Sequence, residues 1–78
     1  MREAFLDNRG LEPPQPMIRT LEKLDSLDDG DVLTIHNDRV PVYLFPQLLD
    51  LGASYTVDEQ ADGSAVVRIT KAPVAAGG

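Results

Sequence analysis

Apolar and polar positions follow two different periods along this chain, and the switches between them mark its elements. Ala4-Phe5-Leu6-Asp7 is short, apolar and extended in character, and predicts a first strand. Arg9-Gly10 interrupts it. Met17, Leu21 and Leu24 then recur at i, i+4 and i+7, with Ile18 and Leu27 flanking the same stripe. Arg19, Glu22, Lys23 and Asp25 take the opposite face. That is the period of a helix. Pro14 or Pro16 can start it, because N–H groups in the first turn have no intrahelical partner. Asp28-Asp29-Gly30 stops it, with Gly30 suited to a left-handed cap.

Asp31 to His36 alternates: Leu33 and Ile35 face one way, Val32, Thr34 and His36 the other, as in a second strand. Asn37-Asp38-Arg39 is a polar turn. A second helix is expected from near Pro41, with Phe45, Leu48, Leu49 and Leu51 on its buried side. Pro46 should kink or restart it, and Gly52 ends it. Ala53 to Glu59 alternates again, with Tyr55 and Val57 on one face. Asp62-Gly63 signals a hairpin turn. Ala65 to Thr70 is the last strand, with Val67 and Ile69 opposite Val66, Arg68 and Thr70.

The order is β-α-β-α-β-β, and both helices must cover one sheet. The expected fold class is therefore α/β: a two-layer sandwich with two helices packed on one face of a four-stranded mixed sheet. The first two strands, joined through a helix, should be parallel with a right-handed crossover, and the last two an antiparallel hairpin. Residues 1–71 form a single domain. Residues 72–78 have no periodicity and read as a flexible C-terminal tail.

Composition narrows the chemistry. With 78 residues, no cysteine and one histidine, the chain has no disulfide and no Cys/His metal cluster, so one layered core must suffice. No metal or other cofactor is expected. Thirteen Asp+Glu against 7 Lys+Arg give a net charge of −6, which argues against nucleic acid or an anionic membrane as partner. The acidity is read chiefly as a device for solubility. The longest apolar stretch, Val40 to Phe45, is too short to span a bilayer, and no signal peptide is evident. The expected setting is soluble and cytoplasmic.

The candidate chemistry lies in Arg9-Gly10-Leu11-Glu12-Pro13-Pro14-Gln15-Pro16, which sets three prolines within four positions before the first helix. As structure, the run fixes the entry into the helix and lowers the entropy of the unfolded chain. As a binding element, it is a proline ligand for an aromatic groove. The structural reading is the favoured one.

This segment resembles the Arg-Gly-Leu-x-Cys-Pro-x-Pro motif of the SirA/TusA-like sulfur-carrier family, which also begins with a strand and leads into a helix. The resemblance extends over roughly residues 4 to 71 and agrees with the element order read from periodicity. It implies the two-layer fold and a place in sulfur or redox metabolism. The family's persulfide-carrying cysteine falls at Pro13. A helix N-terminus lowers a thiol's pKa, but proline has no nucleophile and lacks an N–H as well. Persulfide transfer at this position is thus excluded. The Pro-Pro-x-Pro form with the following Asn-Asp-Arg turn resembles a cysteine-less, uncharacterised branch of that family.

Two parallel strands should bring their carboxyl ends to one edge, where α/β folds usually place ligands. Arg9, His36, Asp38 and Arg39 are expected to converge there with Glu12. A small anion at the helix N-terminus is one use of such a surface. The plainer reading pairs Arg9 and Arg39 with acidic neighbours and leaves His36 solvated. The terminal Gly77-Gly78 resembles the end of ubiquitin-like carriers, although those begin with a hairpin. The leading expectation is a non-catalytic binding or accessory module with a protein partner. A carrier acting through the Gly78 carboxylate and an enzyme using His36 with Asp38 are the alternatives.

Overall fold

The computed structural model describes residues 2–71. It has the expected order: β1 (Glu3–Asp7), α1 (Gln15–Asp25), β2 (Val32–Asn37), α2 (Phe45–Asp50), β3 (Ser54–Glu59) and β4 (Ala65–Thr70). A single 3-10 turn, Val42–Leu44, leads into α2. The strands form one sheet in the order β1-β2-β4-β3. β1 and β2 are parallel, and β4 is antiparallel to both β2 and β3. The two helices pack on one face of this mixed sheet, giving a two-layer α/β sandwich. The flexible tail expected at residues 72–78, with Gly77 and Gly78, lies outside the described residues.

Register sets the core. Ala4, Leu33, Ile69 and Tyr55 form one row across the sheet, and Leu6, Ile35, Val67 and Val57 the next. Leu33, Ile35, Val67 and Ile69 are fully buried and meet Leu24, Leu27, Leu44, Leu48 and Ala53. Each such aliphatic side chain contributes about 1.5–3 kcal/mol of transfer free energy. The alternate row Phe5, Thr34, Arg68 and Thr56 occupies the other face, where Phe5 stands exposed. Among the described residues no helix is long and apolar enough to cross a membrane.

Three expectations need correction. The buried line on α1 is Pro16, Thr20 and Leu24, with Met17 and Leu21 half-buried, whereas Ile18 is 42% exposed. Thr20 can be buried because its hydroxyl donates to the Pro16 carbonyl at 2.7 Å. Gly30 is left-handed, at φ +85°, but does not cap α1. The helix has already ended at Asp25, and Lys71 Nζ covers the carbonyl of Leu27 at 2.6 Å. Gly30 instead turns the chain into β2, its N–H donating to the Lys71 carbonyl. In the second helix Pro46 does restart the chain, in the first turn of α2. Leu44 and Leu48 face the core, but Leu49 is 64% exposed and Leu51 is exposed as well. Leu49 lies about 100° around the helix from Leu48, and Leu51 lies beyond the helix's last residue.

Candidate functional site

Because β1 and β2 run parallel, their carboxyl ends reach one edge of the sheet together. The Asn8 N–H continues the ladder to the His36 carbonyl at 2.8 Å. Two residues on, the Gly10 N–H donates to Asp38 Oδ2 at 2.8 Å, joining the loop after β1 to the turn after β2. Gly10 sits at φ +81° with no atom within 4 Å of where a Cβ would stand, so backbone conformation alone calls for glycine here.

Between the two segments lies a cavity of about 580 Å³. Leu11, Pro13, Pro14, Pro16 and Met17 form one wall; Asp38, Arg39, Val40, Val42 and Tyr43 form the other; Asn8 and Asn37 complete it. The wall is mostly apolar, and its size suits a small ligand or a short stretch of chain. The Pro13–Pro14 peptide bond is cis.

The helix entrance is poor in donors. Pro13, Pro14 and Pro16 carry no N–H. The Gln15 N–H donates to the Glu12 carbonyl, and the Ile18 N–H to the Pro14 carbonyl. Met17 alone in this turn keeps an amide with no acceptor among the described residues. The helix start therefore offers an anion one amide rather than the usual three or four. Arg39, which makes no ion pair among the described residues, is the cation beside it.

Asn8 is 1% exposed. Its Nδ2 donates to Thr20 Oγ1 at 3.2 Å and to Asn37 Oδ1 at 3.1 Å. Its Oδ1 has no donor. A buried acceptor left in this state costs about 1–3 kcal/mol.

Arg9 and His36 lie apart from this cavity, so the expected convergence with Asp38 and Arg39 is only partial. Arg9 forms a two-pronged ion pair with Asp7, at 2.9 and 2.8 Å. That pair holds the Asp7 carboxyl far below the usual range, by side-chain hydrogen bond first, and raises Arg9. Arg9 thus has the acidic neighbour that the plainer reading expects, whereas Arg39 has none among the described residues. Glu12 is exposed and enters only through its carbonyl.

His36 Nε2 lies 2.9 Å from Ser64 Oγ, which itself donates to Asp62 Oδ1 at 2.6 Å. His36 is thus paired with Ser64 and not with Asp38, whose carboxylate is engaged by Gly10. The group contains Ser, His and Asp in the wrong order for nucleophilic catalysis. The hydroxyl hydrogen goes to the carboxylate, so the imidazole donates to the oxygen and cannot act as its base. Ser64 also depresses Asp62, through its hydroxyl and then its amide. The group ties the β3–β4 turn to the end of β2. Among the described residues no cluster of three His, Asp or Glu side chains is placed to hold a metal.

Asn8, Thr20, Tyr43 and Ser64 carry no signal in the sequence, and Asp62 only that of a hairpin turn. Asn8 and Asn37 stand at the matching ends of two parallel strands, but burial of an asparagine leaves no trace in periodicity.

The family model of DUF2249, described as an uncharacterized conserved protein, matches residues 5–71. Among solved structures, the crystal structure of a SirA-like protein from Desulfitobacterium hafniense is similar, with a TM-score of 0.79 at 25% identity. The match covers 88% of this chain and 97% of that one. A comparison with curated proteins found no match.

Proposed function

The chain belongs to the DUF2249 family, and on that footing we propose that it is a non-catalytic binding module whose partner is a protein. One observation carries this reading: the motif's scaffold encloses a formed, mostly apolar cavity at the ends of β1 and β2, with Pro13 where a carrier would hold its thiol. On this reading the entrance lacks the nucleophile that the motif it resembles places there. The link to redox or sulfur metabolism, and membership of a cysteine-less branch, rest on the likeness to the SirA-like protein together with that replacement.

Affinity capture from the native lysate tests the reading, with Arg39→Ala and Tyr43→Ala run beside the unaltered chain. We expect a protein retained by the unaltered chain and lost from both variants. Identical capture by all three overturns a binding role for this cavity. Incubation with a persulfide donor, followed by intact-mass measurement, tests the absence of carrier chemistry. We expect no added sulfur; with an adenylating enzyme, ATP and a sulfur donor present, replacement of one oxygen by sulfur at Gly78, with AMP as the leaving group, would favour the carrier alternative.

A further inference from the structure

We propose that the free edge of β3 is an interface between two copies of this chain, which pair antiparallel about Val57 to make one continuous sheet. This edge lies at the far side of the sheet from β1, and the proposal does not depend on the cavity.

The backbone defines the pairing. Among the described residues β3 has β4 as its one neighbour. The Gln60 N–H donates to the Ser64 carbonyl, at the head of the register that sets Asp58 against Val66 and Thr56 against Arg68. Hydrogen bonding alternates along an antiparallel ladder, so Ser54, Thr56 and Asp58 turn their N–H and C=O groups towards β4. Those of Tyr55, Val57 and Glu59 turn outward, where the described residues offer them no partner. A twofold axis at Val57 satisfies all of them. Val57 exchanges hydrogen bonds with Val57 of the second copy, and Tyr55 with Glu59 of the second copy.

Side chains and charge fit the same register. Val57 meets Val57, Tyr55 meets Glu59 and Thr56 meets Asp58, so no like charges stand directly opposite. Val57 is 39% exposed on the helix-bearing face. Leu49 follows Phe45 by one turn, so it lies on the flank of α2 that Phe45 sets against β3, and it too is exposed. The twofold axis puts the helices of both copies on one side of the joined sheet and turns these apolar flanks towards each other. β1 does not offer the same match. Paired with itself about Phe5, it would set Glu3 opposite Asp7, and the Arg19 guanidinium already occupies the Asp7 carbonyl. Association through β3 therefore closes at two copies. Asp58 lies diagonal to its own copy and each chain carries a net charge of −6, so salt should strengthen the pair.

Sedimentation equilibrium of the full chain, with amide hydrogen exchange, is the test. We expect the mass to rise with concentration from that of one chain to that of two. The rise should be steeper in about 1 M than in about 0.1 M salt, where the screening length is about 3 Å against about 10 Å. Exchange at the Tyr55, Val57 and Glu59 amides should slow as concentration rises, with Thr56 and Asp58 unchanged. Val57→Pro removes an outward N–H, which an edge strand tolerates, and Val57→Lys sets a charge at the axis. Each should weaken association about tenfold or more, whereas Phe5→Lys on the other edge should leave it unaltered. If the proline variant does not fold, the lysine variant decides. The mass of one chain at every concentration up to about 1 mM overturns the proposal. So does a dimer that is indifferent to Val57→Lys or abolished by Phe5→Lys.

Discussion

The rings of Phe45 and Tyr55 lie 4.5 Å apart at 10° to one another. Phe45 opens α2 and Tyr55 sits on β3, so this one stacked pair fastens the short second helix over an edge strand. A helix of six residues has little stability of its own and depends on such packing. In a double-mutant cycle of Phe45→Ala and Tyr55→Ala, we expect a coupling of about 0.5–1.5 kcal/mol beyond the area lost. Urea unfolding of the four proteins measures it, and strict additivity would show that the stack contributes nothing specific.

The corrected face of α2 gives a contrast between adjacent leucines. Leu48 is fully buried and Leu49 largely exposed. Leu48→Ala should cost about 2–5 kcal/mol, enough to leave so small a domain marginal. Leu49→Ala should stay within about 0.5 kcal/mol. Thermal unfolding of both checks the assignment.

Thr20 supports Asn8 from within α1. Thr20→Val keeps the shape of the side chain but removes the acceptor that Asn8 Nδ2 uses. We expect a loss of about 1–3 kcal/mol, with the amide signals of Asn8 and Asn37 displaced and those of the distant β3–β4 turn unchanged. Chemical denaturation and an amide spectrum are the measurements.

Acid should loosen the start of β2. The Asp31 carboxylate accepts from the Arg2 N–H, the Asp28 N–H and the Arg2 guanidinium, and the first two chiefly hold its pKa below the ordinary 3.8. A carboxyl depressed in the folded state contributes stability that is fully present above its unfolded value. That contribution is lost as pH falls from there through the folded value. The urea midpoint should therefore be flat on this account near neutrality and fall below about pH 4. Asp31→Asn should be less stable at neutral pH and flatter in acid. It should not be wholly flat, since Asp7 and Asp62 are depressed in the same direction.

The sheet and the sequence of elements were legible because they rest on alternation, which Leu33, Ile35, Val67 and Ile69 display plainly. The errors concern residues whose environment the apolar period does not record. Thr20 is polar yet buried, because α1 provides it with a carbonyl. Leu49 is apolar yet exposed, because α2 is too short to wrap its whole girth in core. The candidate site divides in the same way. The meeting of Gly10 with Asp38 follows from parallel strands, whereas Arg9 was drawn off by Asp7, two residues away on the adjoining strand. His36 was claimed by a hairpin turn 28 residues further on, a partnership that no local pattern announces.

β1 is an edge strand held to β2 alone, and a strand of that kind can slip. Sliding by two residues would preserve which side chains face the core while moving the strand about 7 Å along its neighbour. Both of its ends resist this. The Arg2 N–H is clamped to Asp31 before the strand begins, and the Gly10 N–H to Asp38 after it ends. A slip would have to break both clamps at once. The spacing of the two loops at the carboxyl edge is accordingly governed from the opposite end of the sheet, so Asp31 acts as a gauge for an opening it never touches.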